Sequence, residues 1–342
     1  MDSITQIVLG AAVAEAVAGR KMGRRAAFWG AIAGTIPDLD VFLSIFNHPI
    51  DAALLHRGFS HSLVFAALMT PILAWIVNKL YTKKYPINLW MKLFFLAIVT
   101  HPLLDIFTNY GTEFLWPFSF RITFNSVFVL DPLYTIPFAI CLLTALILKR
   151  ENKWRSRINL IGIGYSCLYL VWGVIVKLTI LNQSDTYFQA SNIQVQSEKT
   201  MAGPMPLTSF YWMFMGEDEE NFYIGYKSLF GKYQPSDLEV IPKNHSLFEA
   251  VTFKGKDYKD QLKFIANGYY AIDTVDETMY FYDLRFGTNC AFTTSSDCGP
   301  IMGYGMVVDN GFVNKTTSFR GASSFKKLNF SVYWNKVFAK YE

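Results

Sequence analysis

The stretch SRINLIGIGYSCLYLVWGVIVKLTIL, residues 156–181, decides the fold of this chain. After Arg157 its only charged residue is Lys177. An apolar run of about 20 residues is long enough to cross the hydrocarbon core of a bilayer as a helix. The 342-residue chain is 17% charged, where soluble domains average about 25%. The sequence therefore predicts a protein that is anchored in a membrane.

Other apolar runs precede this one, and they predict a multi-span domain. Four runs in all are clear candidates for spanning helices, whereas two more are either short or interrupted by polar residues. For these two, an interfacial or re-entrant segment is the alternative. The clear runs are Leu63 to Leu80, Leu89 to Phe107, Pro132 to Leu148 and Ile158 to Leu181, and the other two are Ile4 to Ala18, with Glu15, and Ala26 to Phe46, with Pro37, Asp38 and Asp40.

Basic residues concentrate in alternate connections between these runs. Cytoplasmic loops carry an excess of Lys and Arg, so the three basic connections are predicted to be cytoplasmic. Six crossings then place the N-terminus outside and lead the chain outward after Leu181. The basic connections contain Arg20, Lys21, Arg24 and Arg25, then Lys79, Lys83, Lys84 and Lys92, then Lys149, Arg150, Lys153, Arg155 and Arg157.

The C-terminal half has a different composition. Segments such as FYIGYKSLF and TMYFYDLRF favour strands, and Asn267-Gly268 and Asn310-Gly311 are turn signals. The predicted fold class is an α-helical integral membrane domain of about six helices, residues 1–182, followed by a β-rich soluble domain, residues 183–342, on the extracytoplasmic side. There, Cys290 and Cys298 would form a disulfide, although two free thiols are the alternative. The net charge of +4 without a basic aromatic patch argues against nucleic acid as a partner.

Groups able to bind a metal cluster in the membrane half. Four of the five histidines fall between residues 48 and 101. Three motifs stand out, PDLD at 37–40, HRGFSH at 56–61 and HPLLD at 101–105, and Asp131 follows in LDPLY. His101 and Asp105 are four residues apart, so they share one face of a helix. Imidazole and carboxylate at this spacing can hold one divalent metal.

Depth in the membrane supports this interpretation. Asp38 lies 12 residues beyond Ala26, and His101 lies 12 residues beyond Leu89, which places both about 18 Å from the cytoplasmic side. The other acidic and imidazole candidates map to the outer half or the outer face. Ionisable groups at such depth are costly unless they are paired or face a cavity, and they mark function by default. We therefore predict a polar cavity open to the outer face.

Each motif also has a structural interpretation. Asp38 and Asp40 could end a helix at the interface, and His56 with Arg57 could be a solvated loop. His61 could cap the helix that starts at Ser62. The remaining alternatives are a hydrogen-bonded pair for His101 and Asp105 and an N-cap before Pro132 for Asp131. These interpretations do not explain why all the groups share one depth.

The motifs MDSIT, GAIAGTIPDLD, HRGFSHS and HPLLDIFTNYGTEFLWPFS resemble the YdjM-like family of predicted membrane-bound metal-dependent hydrolases. The resemblance implies a bacterial inner (cytoplasmic) membrane protein with a divalent metal. A looser likeness connects the His and Asp spacings to zinc-dependent phospholipase C. Gln6 stands where the family usually has a histidine, and if that histidine binds metal, one ligand is missing here. The family's functional positions fall on Asp38, Asp40, His56, Arg57, His61, His101 and Asp105.

The leading hypothesis is a metal-dependent hydrolase with its site at the outer face, acting on a phosphoester or a lipid-linked substrate. Histidine and carboxylate ligands suit zinc, with manganese or iron as alternatives, and the set is large enough for two metals. An ion-coupled transporter and a metal-stabilised structural membrane protein are the other hypotheses. The predicted metal ligands are Asp38, His56, His61, His101 and Asp105. The predicted catalytic residues are Asp40 or Asp131 as the base and Arg57 for substrate binding.

Overall fold

The computed structural model describes residues 1–196, 199–231, 238–294, 298–320 and 329–340, without the side chains of Ser44 and Arg320. The chain separates into two compact units. The first consists of Met1–Asn47, Leu55–Ile175 and Pro206–Thr208, and the second of His48–Leu54, Val176–Met205 and Ser209–Glu342. The predicted domain boundary after residue 182 stays a prediction.

The first half of the chain is helical. In chain order its helices are α1 (Ser3–Met22), α2 (Arg24–Thr35), a 3₁₀ turn (Pro37–Asp40), α3 (Val41–Ser44), α4 (Pro49–Leu55), a 3₁₀ turn (Phe59–His61), α5 (Leu63–Leu80), α6 (Ile87–Asp105), α7 (Pro132–Ile147) and α8 (Lys153–Ala190). Pro37 has no amide hydrogen to donate to a carbonyl of the preceding turn, so the hydrogen-bond pattern of α2 stops there and a 3₁₀ turn follows. Asp2 caps α1 by accepting from the Thr5 amide at 3.0 Å.

Within the described ranges, four helical segments are long and apolar enough to cross a membrane: Arg24–Leu43, Leu63–Leu80, Ile87–Asp105 and Lys153–Ala190. Helix α7 is apolar but has only 16 residues. The predicted fold class, a helical membrane region followed by a β-rich domain, is confirmed. The total of six crossings, which would include α1 and α7, stays a prediction.

Small residues let α1 and α2 pack closely. A Cβ atom on Gly10 would lie 2.3 Å from the Gly30 carbonyl oxygen, and one on Gly34 would lie 2.7 Å from the Gln6 carbonyl oxygen. Only glycine permits this approach of two helix backbones. The contact brings the end of α2, and with it the PDLD motif, next to Gln6 on α1.

The second unit contains two β-sheets. The first is antiparallel with the order β1-β2-β3-β4, and the second has the order β5-β9-β8-β7-β6, in which only the β5–β9 pair is parallel. The strands are β1 (Met201–Pro204), β2 (Tyr211–Glu217), β3 (Asn221–Ser228), β4 (Glu239–Pro242), β5 (Thr252–Phe253), β6 (Tyr270–Val275), β7 (Thr278–Asp283), β8 (Met302–Asp309) and β9 (Phe312–Arg320). Helices α9 (His245–Ala250), α10 (Lys259–Ile265) and α11 (Phe330–Val337) also belong to this unit.

Local chemistry explains parts of this unit. Asn310 and Gly311 both have positive φ, 50° and 79°, and they join β8 to β9, as the Asn-Gly signal predicts. Asn267 and Gly268 also have positive φ but join α10 to β6. In the segment His48–Leu54, Ile50 is fully buried and packs into the core of the second sheet.

Candidate metal centre

Four side chains from three separate segments converge in the first unit. Asp38, His61, His101 and Asp105 each offer a ligand atom, and these atoms all lie within 4.8 Å of one another. Asp38 comes from the 3₁₀ turn after α2, and His61 comes from the turn before α5. His101 and Asp105 occupy the last turn of α6, one helical turn apart, as their spacing predicts.

Five of the six distances between these atoms match the edges of a tetrahedron around one metal ion, and the sixth, between the two carboxylates, is at most 4.8 Å. His61 Nε2 lies 3.1 Å from His101 Nε2, and Asp38 Oδ1 lies 3.3 and 3.4 Å from these two nitrogens. Asp105 Oδ2 is 3.6 Å from each nitrogen. Zinc binds nitrogen and oxygen ligands at about 2.0–2.2 Å, so a tetrahedral ion separates its ligands by about 3.4 Å. The four residues therefore fit a single divalent metal.

A hydrogen bond to the second ring nitrogen, Nδ1, fixes the orientation of His101. Its Nδ1 donates to the Gly34 carbonyl oxygen at 2.5 Å. That carbonyl lies in the last turn of α2, where helix carbonyls lack a partner within the helix. Since Nδ1 carries the hydrogen, the neutral ring presents the Nε2 lone pair to the other three side chains. Metal-binding histidines are oriented in this way by an acceptor on the second nitrogen.

His61 is oriented by a second layer of polar groups. Its Nδ1 lies 2.9 Å from Ser60 Oγ and 3.3 Å from Asp40 Oδ2. Asp40 also accepts from Ser60 Oγ at 2.5 Å and contacts His56 Nδ1 at 2.8 Å. Asp40 thus contacts the Nδ1 side of the His61 ring, whereas the other three converging residues lie on its Nε2 side. His56 is held by Asp40. The structure places His56, a predicted ligand, in this outer layer.

Asp105 is incompletely satisfied despite its complete burial. Its Oδ1 accepts from Gln6 Nε2 at 3.0 Å and contacts the Met1 amine, whereas its Oδ2 has no hydrogen-bond partner among the described residues. Gln6 Oε1 is likewise buried with no partner there. A buried polar atom without a partner costs about 1–3 kcal/mol. A cation bound by the cluster would satisfy Asp105 Oδ2.

Arg57 is buried beside the cluster rather than solvated, with 4% of its surface exposed. Its Nε lies 3.7 Å from Asp105 Oδ2 and makes no hydrogen bond within the described part of the chain. One terminal nitrogen donates to Thr108 Oγ1 at 2.7 Å, and the guanidinium stacks 4.9 Å from the centre of the Tyr110 ring. The guanidinium is therefore held rigidly, with one N–H still available.

Asp131, a predicted base, does not join this group. It is the N-cap of α7, where Oδ1 accepts from the amides of Leu133 and Tyr134 at 3.0 and 3.3 Å. Its Oδ2 accepts from the Tyr169 hydroxyl at 2.8 Å. These contacts are those of a helix N-cap. The sequence offered this role as the structural alternative, because Pro132 follows Asp131 directly.

Sequence reasoning missed several supporting groups. Ser60 contacts both Asp40 and His61, and it lies inside the HRGFSH motif, where a hydroxyl between two ligand candidates could have drawn attention. The Gly34 carbonyl had no sequence signal, because backbone acceptors are the same at every residue. Thr108 and Tyr110 hold Arg57, and they follow the HPLLD motif directly.

Comparison with known proteins defines the class. Residues 1–180 match the model of the YdjM inner membrane protein family, which is more than half of the 342 residues. The chain therefore belongs to this family and is a multi-pass inner membrane protein. The predicted resemblance is confirmed.

Two curated relatives share part of the chain. Inner membrane protein YbcI of Escherichia coli (strain K12) is 35% identical over 97 residues, 28% of this chain and 55% of YbcI. Uncharacterized protein YfhP of Bacillus subtilis (strain 168) is 32% identical over 126 residues, 35% of this chain and 38% of YfhP. The chain thus matches about half or less of either relative's length. No solved structure matches significantly.

Proposed function

We propose that this protein is a membrane-embedded metal-dependent hydrolase, with zinc as the metal that best suits its ligands. The observation that carries the proposal is the convergence of Asp38, His61, His101 and Asp105 at tetrahedral spacing. Two imidazoles and two carboxylates are a ligand set that binds zinc and, less selectively, manganese or iron. When bound, the metal would polarise a scissile bond and lower the pKa of a coordinated water.

The surrounding residues have distinct roles in this proposal. Gly34 and Asp40 orient the two imidazoles, which keeps both Nε2 atoms directed at the metal position. Arg57 has a free N–H at the edge of the cluster and would bind an anionic oxygen of a phosphoester. The contacts of Asp40 favour an orienting role over that of a general base.

Access to the cluster is uneven. The side chain of Asp38 is 23% exposed, whereas those of His61, His101 and Asp105 are at most 1% exposed. A catalytic zinc site needs a coordination position that substrate or water can reach. We therefore place the substrate on the Asp38 side, where this carboxylate could also move aside.

A structural metal site is the second candidate, and a specific observation favours it. Four protein ligands are the number that closes a structural zinc site, whereas catalytic sites use three ligands and an open position. An ion-coupled transporter is the third candidate, because intramembrane carboxylates beside a broken helix also occur in transporters. X-ray absorption of the metal-loaded protein separates the first two, since a catalytic site shows an exchangeable water oxygen in addition to the protein ligands.

The decisive experiment measures metal and hydrolysis in one preparation. The full-length protein, purified in detergent without chelator, should contain about one zinc per chain and hydrolyse bis(p-nitrophenyl) phosphate or a lipid phosphoester. Removal of the metal should abolish hydrolysis, and re-addition should restore it. A protein that neither contains nor takes up a stoichiometric transition metal contradicts the proposal. A protein with tightly bound metal and no hydrolysis supports the structural site instead.

We further propose that the cluster faces the outer side of the inner membrane and that residues 183–342 are extracytoplasmic. The alternation of basic connections supports this orientation, and a cavity at headgroup level would suit a lipid-linked substrate. Ser156→Cys should react only with a permeant thiol reagent, and Asn221→Cys also with an impermeant one. Labelling of both positions from the same side would contradict the topology without affecting the metal site.

A further inference from the structure

A carboxylate and a disulfide lie side by side in the second unit. Cys290 and Cys298 are bridged with a Cα–Cα distance of 5.1 Å. A carboxylate oxygen of Glu239, on β4, and the two sulfur atoms all lie within 4.8 Å of one another. Metals bind the thiolate form of cysteine, so the bridged pair is not a metal site. The arrangement instead combines a disulfide, which can oxidise thiols, with the carboxyl group of Glu239, which can transfer protons.

The surroundings of Glu239 make its carboxyl a proton carrier near neutral pH. The Thr288 hydroxyl lies 2.9 and 2.7 Å from its two oxygens. Burial raises the pKa of Glu239 to about 7. The titratable groups that face it are Tyr226 on β3, which hydrogen-bonds Thr288, and Lys336 on α11, which lowers the pKa of Glu239. The carboxyl is therefore present in both protonation states at neutral pH.

Besides the covalent disulfide, hydrogen bonds also hold the two cysteines in place. The Asn289 amide donates to the Gly299 carbonyl at 2.9 Å, and the Gly299 amide donates to Asn289 Oδ1 at 2.8 Å. The Cys290 amide donates to Thr288 Oγ1 at 3.3 Å. Both cysteines are half-buried rather than sealed in the core. The sulfur atoms would therefore stay close, and reachable, after reduction of the bond.

We propose that Cys290 and Cys298 form a redox-active pair that exchanges with the dithiol of a partner protein, with Glu239 as the group that transfers the proton. A partner thiolate attacks one sulfur, the S–S bond breaks, and the leaving sulfur departs as a thiolate that takes the proton of Glu239. The second partner thiolate then attacks the mixed disulfide and releases the other cysteine as a thiolate, which takes a proton from water. The partner's dithiol is oxidised to a disulfide, and this pair is reduced to two thiols.

A purely structural disulfide makes different predictions. It would constrain the unfolded chain, and its reduction would loosen the domain without any dependence on Glu239. A proton donor near the bond accelerates departure of the leaving thiolate, because thiol exchange depends on how readily that sulfur leaves. The proposal is independent of the metal centre, which lies in the other unit.

The test uses the full-length protein in detergent and dithiothreitol as the reductant, from about two pH units below to about two above the pKa of Glu239. Mass spectrometry of alkylated peptides follows Cys290 and Cys298 without interference from other thiols. The rate constant, divided by the concentration of dithiothreitol thiolate, should fall as the pH rises through about 7, because the acid form of Glu239 is lost.

Glu239→Gln should remove this pH dependence and lower the rate below the inflection by roughly tenfold or more, as expected for a general acid. Glu277→Gln changes an exposed carboxylate of the same unit and should behave as wild type. A flat wild-type profile overturns the proposal even if Glu239→Gln fails to fold. An unchanged profile in folded Glu239→Gln, or loss of protease resistance in the second unit on reduction, also overturns it.

Discussion

The helical unit contains a buried ion pair, Glu15 with Arg155, and the buried cluster of Asp38, His61, His101 and Asp105. They differ in whether each polar atom has a hydrogen-bond partner. Glu15 on α1 and Arg155 on α8 form a bidentate ion pair, in which Arg155 donates Nε to Oε1 at 2.6 Å and a terminal nitrogen to Oε2 at 2.8 Å. Each carboxylate oxygen has its own donor. In the candidate metal centre, by contrast, Asp105 Oδ2 has no donor within the described ranges, and two imidazole Nε2 atoms face each other at 3.1 Å.

This difference separates a structural site from a candidate functional one. Both sets contain buried ionisable side chains, so burial alone does not mark function. The pair of Glu15 and Arg155 is neutral and complete, and it joins two helices. The cluster of Asp38, His61, His101 and Asp105 has an excess of lone pairs, which a divalent cation would neutralise. The following changes test whether the two sets respond as this comparison predicts.

Loss of a ligand should have the largest effect. His101→Ala or Asp38→Asn removes one of four ligands, so metal affinity should fall by more than about 100-fold, the upper effect of changing a supporting residue. Elemental analysis and competition with a chelator measure it. His245→Ala is the matched control, because His245 lies in the second unit and stacks on Tyr270. Metal retained in both ligand variants would mean that the assigned ligands are wrong.

Breaking the ion pair should change stability and leave the metal unaffected. Glu15→Gln leaves the buried Arg155 without its countercharge, which costs about 3–5 kcal/mol. Unfolding in mixed micelles with increasing denaturing detergent measures the free-energy change, and elemental analysis should still find the metal. Glu151→Gln, which disrupts an exposed pair with Arg150, should leave stability unchanged.

A double variant, Glu15→Leu with Arg155→Leu, sharpens this point. It removes both charges at once, so it should be more stable than Glu15→Gln. If Glu15→Gln instead removed the metal, the two sets would be energetically linked, and the distinction between them would fail.

Arg57→Lys should affect substrate binding more than metal binding. Lysine keeps the charge but loses the planar fork, and one charge-assisted hydrogen bond contributes about 1.5–3 kcal/mol, or about 10- to 150-fold in kcat/KM. Hydrolysis of bis(p-nitrophenyl) phosphate measures this change, with metal content determined in parallel. Arg121→Lys offers a matched control, because Arg121 donates to the His56 carbonyl outside the four-ligand group. Unchanged kcat/KM in Arg57→Lys would remove Arg57 from the proposed site.

Asp40→Asn should weaken metal binding less than the loss of a ligand does. Asp40 orients His61 and is not one of the four ligands, and loss of such a supporting residue costs about 10- to 100-fold in metal affinity. Titration should still reach full occupancy at high metal concentration. Complete loss of binding would instead identify Asp40 as a ligand, and a normal affinity with abolished hydrolysis would support the role of base that the sequence suggested.

The sequence predicted much of this site because its signals are local. The one-turn spacing of His101 and Asp105 depends only on helix geometry. Pro37 marked the end of α2 beside Asp38, whereas α6 continues through Pro102 to Asp105, and the resemblance to a family pointed to the same motifs. For Asp131, however, the sequence offered both a base and an N-cap, and its contacts are those of a cap.

By itself, the sequence determined the helical membrane region, the β-rich second half, the family and the residue types available for a metal. Apolar run length and turn chemistry are properties of short segments, so they can be read without the fold. Only the tertiary structure decided which candidates converge, since the ligand atoms of Asp38, His61 and His101 come from segments up to 63 residues apart and lie within 4.8 Å. The close packing of α1 on α2 at Gly10 and Gly34 brings one of these segments into place. The GAIAG motif at residues 30–34 signals close helix packing, but it does not specify which helix packs there.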